Sequence, residues 1–128
     1  MAIATNAVSV TGPFMAHMTL PTPWQINASS ADASGCEEIK ATPGAGYQLC
    51  IARLIISIGA AITVDIGQGV NAGACQTVLI GAVGGAVGTY MIDLRDRPII
   101  LTADKSLTVD ASGAGVINVY VEGFTRAA

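Results

Sequence analysis

Three segments between residues 62 and 122 alternate strictly between apolar and polar residues. In the first, Ile62, Val64 and Ile66 alternate with Thr63 and Asp65. The same period of two residues recurs at Leu107 and Val109 against Thr108 and Asp110, and at Ile117, Val119 and Val121 against Asn118, Tyr120 and Glu122. This period is typical of a β-strand with one buried and one exposed face. The three segments therefore predict strands whose aliphatic side chains share one core.

The segment 47–58 is strongly aliphatic, but its alternation changes phase in the middle. Leu49 and Ile51 share one phase, and the apolar positions that begin at Leu54 have the other, with Ala52-Arg53 between them. A β-bulge produces such a change of phase, and so does a strand that crosses from one sheet to the other. The pattern predicts one of these two irregularities near Ala52-Arg53.

From Tyr47 onward the sequence predicts short strands separated by glycine-containing turns, with no helical segment. The predicted strands are 47–58, 61–66, 76–80, 89–94, 98–102, 106–110 and 116–122. The link 111–115 before the last strand has a common length for a hairpin loop. Short strands at regular spacing favour a β-sandwich or a barrel. We predict an all-β fold, an antiparallel β-sandwich of jelly-roll type over residues 36–128.

The segment 1–35 has a different character. Pro13, Pro21 and Pro23 lie close together, and the small polar run 27–35 follows them. Proline fixes the backbone and cannot donate a hydrogen bond to a strand ladder. These residues therefore exclude a long helix and are expected to interrupt sheet pairing. We predict an irregular N-terminal arm over residues 1–35.

The predicted arm contains large apolar side chains, which are costly to leave in water. We expect contact with a partner or with the protein's own domain to order it. Tryptophan is over-represented among the residues that dominate binding energy at interfaces, so Trp24 is the expected anchor. The alternative is that Trp24 covers the protein's own sandwich. The candidate partner-binding residues are Phe14, Met18, Leu20 and Trp24.

Charged residues are scarce in this chain. Six basic and nine acidic residues make up 12% of the 128 residues, against a usual share of about 25%. A surface so poor in charge is usually covered in part by a partner, which predicts a homo-oligomer. The net charge of −3 gives no basic surface for nucleic acid or for anionic lipid, so we expect neither partner.

One long stretch, Ile66–Ile92, contains no charged residue over 27 positions. A transmembrane helix is one interpretation of such a stretch. However, the stretch contains seven glycines, and its apolar segments Val78–Ile80 and Tyr90–Ile92 have only the length of strands. Two buried strands joined by a loop are therefore favoured over a helix in a membrane.

Two motifs suggest ligand chemistry, and each has a simpler interpretation. The segment 67–72 has the G-x-G-x-x-A form of a dinucleotide-binding turn, but that site needs a helix to follow, and Gly73 interrupts the next segment. We favour a turn between strands. The cluster 93–98 combines two aspartates with two arginines, which suits acid–base or phosphate chemistry. A solvated turn is favoured there, with salt bridges between subunits favoured over catalysis as its function.

The remaining reactive residues point to no catalytic or metal site. The cysteines are Cys36, Cys50 and Cys75, which form no C-x-x-C pair, and His17 is the single histidine. An odd number of widely spaced cysteines favours buried free thiols in a reducing cytoplasm over a disulfide framework. The N-terminal sequence also lacks the basic region of a secretory signal peptide. We expect no catalytic residues, no cofactor and no metal, and hence no enzyme.

Several phrases along the chain resemble those of a known class of structural protein. They are Ile39-Lys-Ala-Thr-Pro-Gly44, Ala60-Ala-Ile-Thr-Val-Asp-Ile-Gly67, Leu107-Thr-Val-Asp-Ala-Ser-Gly113 and Asn118-Val-Tyr-Val-Glu-Gly123. Together with the strand pattern they are similar to the small jelly-roll β-sandwich proteins of tailed bacteriophages, notably capsid cement or decoration proteins. The resemblance extends over about residues 39–124, roughly two thirds of the chain, and leaves the N-terminal arm unmatched.

The resemblance implies a structural virion protein that is made in the host cytoplasm and located on the capsid surface. It implies a homotrimer that binds the major capsid protein and joins neighbouring capsomers. The alternative is a β-sandwich module of a phage head fibre or tail that binds a receptor or a carbohydrate. Sugar sites usually combine exposed aromatic rings with carboxylates or amides, and the six aromatic residues of this chain do not cluster in sequence.

Overall fold

Nine β-strands and no helix form the regular structure of the residues that the computed structural model describes, which are 21–30, 35–71 and 73–128. The strands are β1 (Thr22–Ser30), β2 (Cys36–Lys40), β3 (Tyr47–Ile58), β4 (Thr63–Asn71), β5 (Ala74–Gly84), β6 (Gly88–Asp93), β7 (Ile99–Ile100), β8 (Leu107–Ala111) and β9 (Ile117–Ala127). The predicted all-β class is confirmed. Within the described ranges no helix is long and apolar enough to cross a membrane.

The strands form two antiparallel sheets that pack face to face. The first sheet has the order β1–β9–β3–β6, and the short strand β7 pairs with β3 beyond the end of β6. The second sheet has the order β2–β8–β4–β5. The edge strands β1 and β2 contact each other on one side of the sandwich, and β5 contacts β6 on the other. The predicted antiparallel β-sandwich is therefore confirmed.

The core lies between the central strands, where the predicted alternation holds. Ile62, Val64 and Ile66 are buried while Thr63 and Asp65 are half-buried, and β9 buries Ile117, Val119 and Val121 in the same way. Thr108 is the exception, because it is fully buried although its side chain lies on the other face of the strand from those of Leu107 and Val109. Its hydroxyl lies 3.3 Å from the carbonyl oxygen of Gly69, so the β4–β5 hairpin covers it.

The phase change in β3 is a β-bulge. Glu122 of β9 pairs with Arg53, but the next residue, Gly123, pairs with Ile51, so Ala52 is the extra residue. Leu94 donates its backbone N–H to the Ala52 carbonyl over 2.8 Å. Because β3 pairs with β9 on both sides of Ala52, the strand stays in the first sheet. The bulge, and not a crossing between sheets, is the correct one of the two predicted irregularities.

The segment Thr22–Ser30 corrects the prediction of an irregular arm over residues 1–35. These nine residues form β1, which pairs with β9 from Thr22 to Ser30, and Pro23 lies within the strand opposite Phe124. Proline is tolerated here because β1 pairs with β9 alone among the described strands and so lies at their sheet edge. The sandwich therefore begins before the predicted boundary at residue 36. Residues 1–20 and 31–34 of the predicted arm lie outside the described residues.

The uncharged stretch Ile66–Ile92 forms one side of the sandwich. It contains the second half of β4, all of β5 and most of β6. The favoured prediction of strands over a membrane helix is confirmed, although β5 is an edge strand that is largely exposed and not buried as expected. The stretch thus places an uncharged surface along the two strand edges on that side.

Candidate functional site

The side of the sandwich formed by residues 74–92 is the most distinctive surface of the molecule, and we call it the uncharged edge. It comprises β5, the loop 85–87 and β6 up to Ile92, and it contains no charged residue. Val78 is 50% exposed, Val87 69% and Met91 65%. Among the described strands β5 pairs only with β4, so its other backbone edge is open. A long, uncharged strand edge is a template for pairing with another chain.

The last residues of β5 are less suited to such pairing than the first. The register between β4 and β5 shifts on both sides of Ile66. Asp65 accepts a hydrogen bond from the backbone N–H of Ala82 over 2.7 Å, and Ala82 has a φ of 56°, in the left-handed region. Such irregularities bend a strand away from neighbours. The part of the open edge with a constant register is therefore 74–78.

The outer face of the first sheet brings together polar residues from three strands around Tyr120. Cross-strand pairing sets Tyr120 between Ile55 and Asn27. The Tyr120 hydroxyl lies 2.8 Å from both Gln25 Oε1 and Glu122 Oε2. Sequence spacing missed this cluster, because its members come together only through the pairing of β1 with β9.

Charge in this cluster is balanced by one ion pair. Arg53 Nη2 lies 2.8 Å from Glu122 Oε2. The Tyr120 hydroxyl, and then the Arg53 guanidinium, lower the pKa of Glu122, so the carboxylate stays ionised. The hydrogen bond to that carboxylate raises the pKa of Tyr120, so the phenol keeps its proton. The face therefore presents a neutral aromatic ring beside a carboxylate and an amide.

Trp24 lies against the protein's own core. Its indole ring covers Gly123 so closely that a Cβ atom at that position would lie 2.7 Å from the ring, and the Lys40 ammonium lies 5.0 Å from the ring centroid. The ring thus closes the sandwich at the side where β1 meets β2, as the alternative for Trp24 expected. Its Nε1 atom is buried and has no hydrogen-bond partner among the described residues.

The other candidate partner-binding residues are outside the described part of the chain. Phe14, Met18 and Leu20 fall in the segment 1–20, and so does His17. Their role in partner binding stays a prediction. A shallow groove of about 460 Å³ does lie beside Trp24, lined by Pro23, Gln25 and Glu122. Part of the surface next to the predicted anchor is therefore concave.

The cluster 93–98 is a solvated turn, as favoured. Arg95 donates to Asp93 through Nε over 2.9 Å and through Nη2 over 2.7 Å, and both side chains are well exposed. These hydrogen bonds lower the pKa of Asp93 to about 2. Arg97 closes the turn by donating its backbone N–H to the Leu94 carbonyl. The cluster presents charge to solvent next to the end of β6.

Residues 67–71 of the glycine motif lie in a strand, and the turn between strands that we favoured for the motif follows only after Asn71. Gly67 and Gly69 belong to β4, which continues to Asn71. The buried Gln68 side chain between them donates to Thr102 Oγ1 and accepts from the Thr102 backbone N–H, each over 2.8 Å. The helix that a dinucleotide site requires is not formed in the described segments that follow.

The three thiols are free, but they are not equivalent. Cys50 is fully buried in β3, whereas Cys36 and Cys75 are half-buried and lie beside each other. The prediction of buried thiols is therefore correct for Cys50 only. Within the described residues, no group of three or more histidine, cysteine, aspartate or glutamate side chains could hold a metal ion.

Neither a scan against protein-family models nor a search of the curated proteins finds a match to this chain.

Proposed function

We propose that this chain is a structural virion protein, a cement or decoration protein that binds the outer capsid of a tailed bacteriophage and associates with copies of itself. The observation that carries the proposal is the uncharged edge, where an open strand and exposed aliphatic side chains lie on one side of the sandwich. The fold brings part of the uncharged sequence together on one surface, and a surface without charge is suited to burial against another protein.

The copies meet through their uncharged edges around a three-fold axis. Val78 and Met91 lie on the two edge strands β5 and β6, so both sheets contribute apolar contacts. Burial of aliphatic side chains contributes about 25 cal/mol per Å² of apolar surface removed from water. The open backbone of 74–78 adds hydrogen bonds to a neighbouring chain. The trimer itself follows the resemblance to phage decoration proteins.

The Val78→Lys variant tests this interface. It should convert a homotrimer, with about three times the 12.9 kDa chain mass, into a monomer in sedimentation equilibrium, because three ammonium groups would be buried near the axis. Val78 is 50% exposed in the single chain, so its replacement should leave the circular dichroism spectrum unchanged.

Tyr47→Lys is the matched control, since Tyr47 is 41% exposed but begins β3 opposite Ala127, outside the uncharged edge. It should remain a trimer. Equal dissociation of both variants, or a native chain that is monomeric at micromolar concentration both in solution and on particles, would count against the interface.

The capsid assignment is tested by counting copies of the chain in purified virus particles. Quantitative mass spectrometry should find the chain at a copy number comparable to that of the major capsid protein, because a cement protein occupies equivalent sites over the whole shell. A copy number of a few per particle would support the fibre or tail function instead. Particles without the chain would contradict both.

The fibre or tail function has one specific observation in its favour. The Tyr120 hydroxyl contacts Gln25 and Glu122 on the outer face of the first sheet, and aromatic, amide and carboxylate groups are the combination that usually forms a sugar site. The uncharged edge favours the capsid function over this second candidate, because a sugar site gives no reason for an open apolar strand edge.

A further inference from the structure

Cys36 and Cys75 are distant in sequence but in contact in the fold. Their Sγ atoms lie 2.9 Å apart, and the residues are 39 positions apart in the chain. This distance is longer than a disulfide bond of about 2.05 Å, but it is shorter than the ordinary contact of two sulfur atoms. The two sulfur atoms therefore lie within about 1 Å of covalent distance.

The backbone on both sides holds the two cysteines together. Cys36 begins β2 and donates its backbone N–H to the Gly73 carbonyl in the β4–β5 turn over 3.0 Å. Gly67 of β4 provides the space for Cys75, because a Cβ atom there would lie 2.8 Å from the Cys75 Cβ. Gly69, with a φ of 66°, bends the hairpin so that its tip approaches β2. The contact is therefore built by several independent backbone features.

Polar groups surround the two sulfur atoms. The Thr108 hydroxyl lies 3.4 Å from Cys75 Sγ, and Thr108 is fully buried. Cys36 Sγ lies 3.8 Å from the Gly69 carbonyl oxygen and donates to it. Burial, and then the hydrogen bond with Cys36, raise the pKa of the Cys75 thiol to about 12. Cys75 is therefore a slow first nucleophile at neutral pH, because the thiolate is the reactive form.

We propose that Cys36 and Cys75 form a reversible intramolecular disulfide when the protein meets an oxidising small-molecule disulfide. The Cys36 thiolate attacks one sulfur of the small disulfide, forms a mixed disulfide and releases one small thiol. Cys75 then loses its proton and attacks the Cys36 sulfur, which releases the second small thiol. Two protein thiols and one small disulfide become one protein disulfide and two small thiols, so atoms and electrons balance.

The bond stabilises the second sheet by cross-linking its two edge strands. β2 and β5 are the two edge strands of that sheet, and each pairs with a single neighbour among the described strands. A bond between Cys36 and Cys75 ties the start of β2 to the start of β5 across the bent hairpin. It also closes a long loop, which removes conformational freedom from the unfolded chain. This inference does not depend on the proposed function.

Trypsin separates the three cysteines, which makes the test direct. Cleavage after Lys40, Arg53 and Arg95 gives peptides 1–40, 41–53 and 54–95, which contain Cys36, Cys50 and Cys75 in turn. Reduced protein should be incubated with oxidised glutathione, alkylated and digested without reductant. We expect peptide 1–40 joined to peptide 54–95, with Cys50 alkylated. A bond to Cys50, a persistent glutathione adduct or three alkylated thiols after equilibration would overturn the proposal.

The same samples show whether the bond stabilises the fold. The oxidised native chain should melt about 10 °C above its reduced form. Cys36→Ser and Cys75→Ser should abolish this difference in Tm and keep the circular dichroism spectrum of the reduced protein. The matched control, Cys50→Ala, should show the same difference in Tm as the native chain. A bond that forms without raising Tm would contradict the proposed stabilisation.

The rate of bond closure tests the role of Thr108. Thr108→Val keeps the shape of the side chain but removes the hydroxyl that donates to Cys75 Sγ. The variant should close the bond several-fold more slowly, and the rate for the native chain should rise with pH between pH 7 and 9, since the Cys75 thiolate becomes more abundant. An unchanged rate for Thr108→Val would show that the Thr108 hydroxyl does not position Cys75.

Discussion

Replacement of Gly123 by alanine should lower the free energy of unfolding by about 3 kcal/mol. Gly123 follows the bulge pairing in β9 and is buried. A Cβ atom there would collide with the Cys50 carbonyl oxygen of β3, and it would lie 2.7 Å from the Trp24 indole. The indole can move, but the carbonyl belongs to the backbone of a central strand. Relief therefore requires the two paired strands to separate locally.

Urea unfolding of Gly123→Ala and Gly81→Ala measures this effect with a matched control. A Cβ atom at Gly81 would meet its nearest neighbour, Val78, at 3.6 Å, which is an ordinary contact. Gly81→Ala should therefore change the free energy of unfolding by less than about 0.5 kcal/mol. Adding Trp24→Ala to Gly123→Ala should not restore stability if the carbonyl is the main obstacle. A Gly123→Ala variant as stable as Gly81→Ala would contradict the steric argument.

Replacement of Ile56 by alanine should lower the free energy of unfolding by about 2–5 kcal/mol. Ile56 is fully buried in β3, between Val119 of β9 and Tyr90 of β6. The loss combines the transfer free energy of the removed methyl and methylene groups with the cost of the cavity that remains. Paired strands on both sides limit the collapse of that cavity.

Ile55→Ala is the control, because the same side chain is removed one residue earlier on the opposite face of the same strand. Ile55 is half-buried on the outer face between Met91 and Tyr120. Its loss should cost at most about 1 kcal/mol. Equal costs for the two variants in thermal or urea unfolding would mean that the outer face is buried in solution, which is the outcome if it forms a subunit contact.

The sequence predicted the core strands well because burial there repeats every two residues. Ile62–Ile66 and Ile117–Val121 each have one buried face, and the period survives in the structure. The bulge at Ala52 was also predictable, because one extra residue shifts every later side chain to the other face. Local patterns therefore determine the central strands and their one interruption.

Edge strands were harder to predict, because they have little burial to leave a pattern. β1 contains Pro23 and small polar residues, and its inward positions are only half-buried. Those residues are also typical of loops, so the local sequence predicts an irregular arm. What makes it a strand is the open edge of β9, which lies far along the chain and is not visible in the local sequence.

The Tyr120 cluster and the cysteine pair depend on contacts between distant segments. Tyr120 and Gln25 are 95 positions apart, and Cys36 and Cys75 are 39 positions apart. The cysteine contact also requires the left-handed backbone at Gly69, which bends the hairpin. The glycine motif that resembled a nucleotide-binding turn is the cause of that bend. The glycines thus serve the fold through their conformational freedom and not through nucleotide binding.

Among the described strands β1 pairs with β9 alone, and this has a mechanical consequence for any load applied through the residues before Pro21. The backbone pairing that holds β1 to the fold runs over nine positions on β9, from Thr22 to Ser30. Tension along the strand axis loads these positions together in shear. Tension directed away from the sheet edge loads only the outermost pair, so the pairs separate one after another. The sandwich therefore tolerates an axial pull on its N-terminal segment far better than a lateral one.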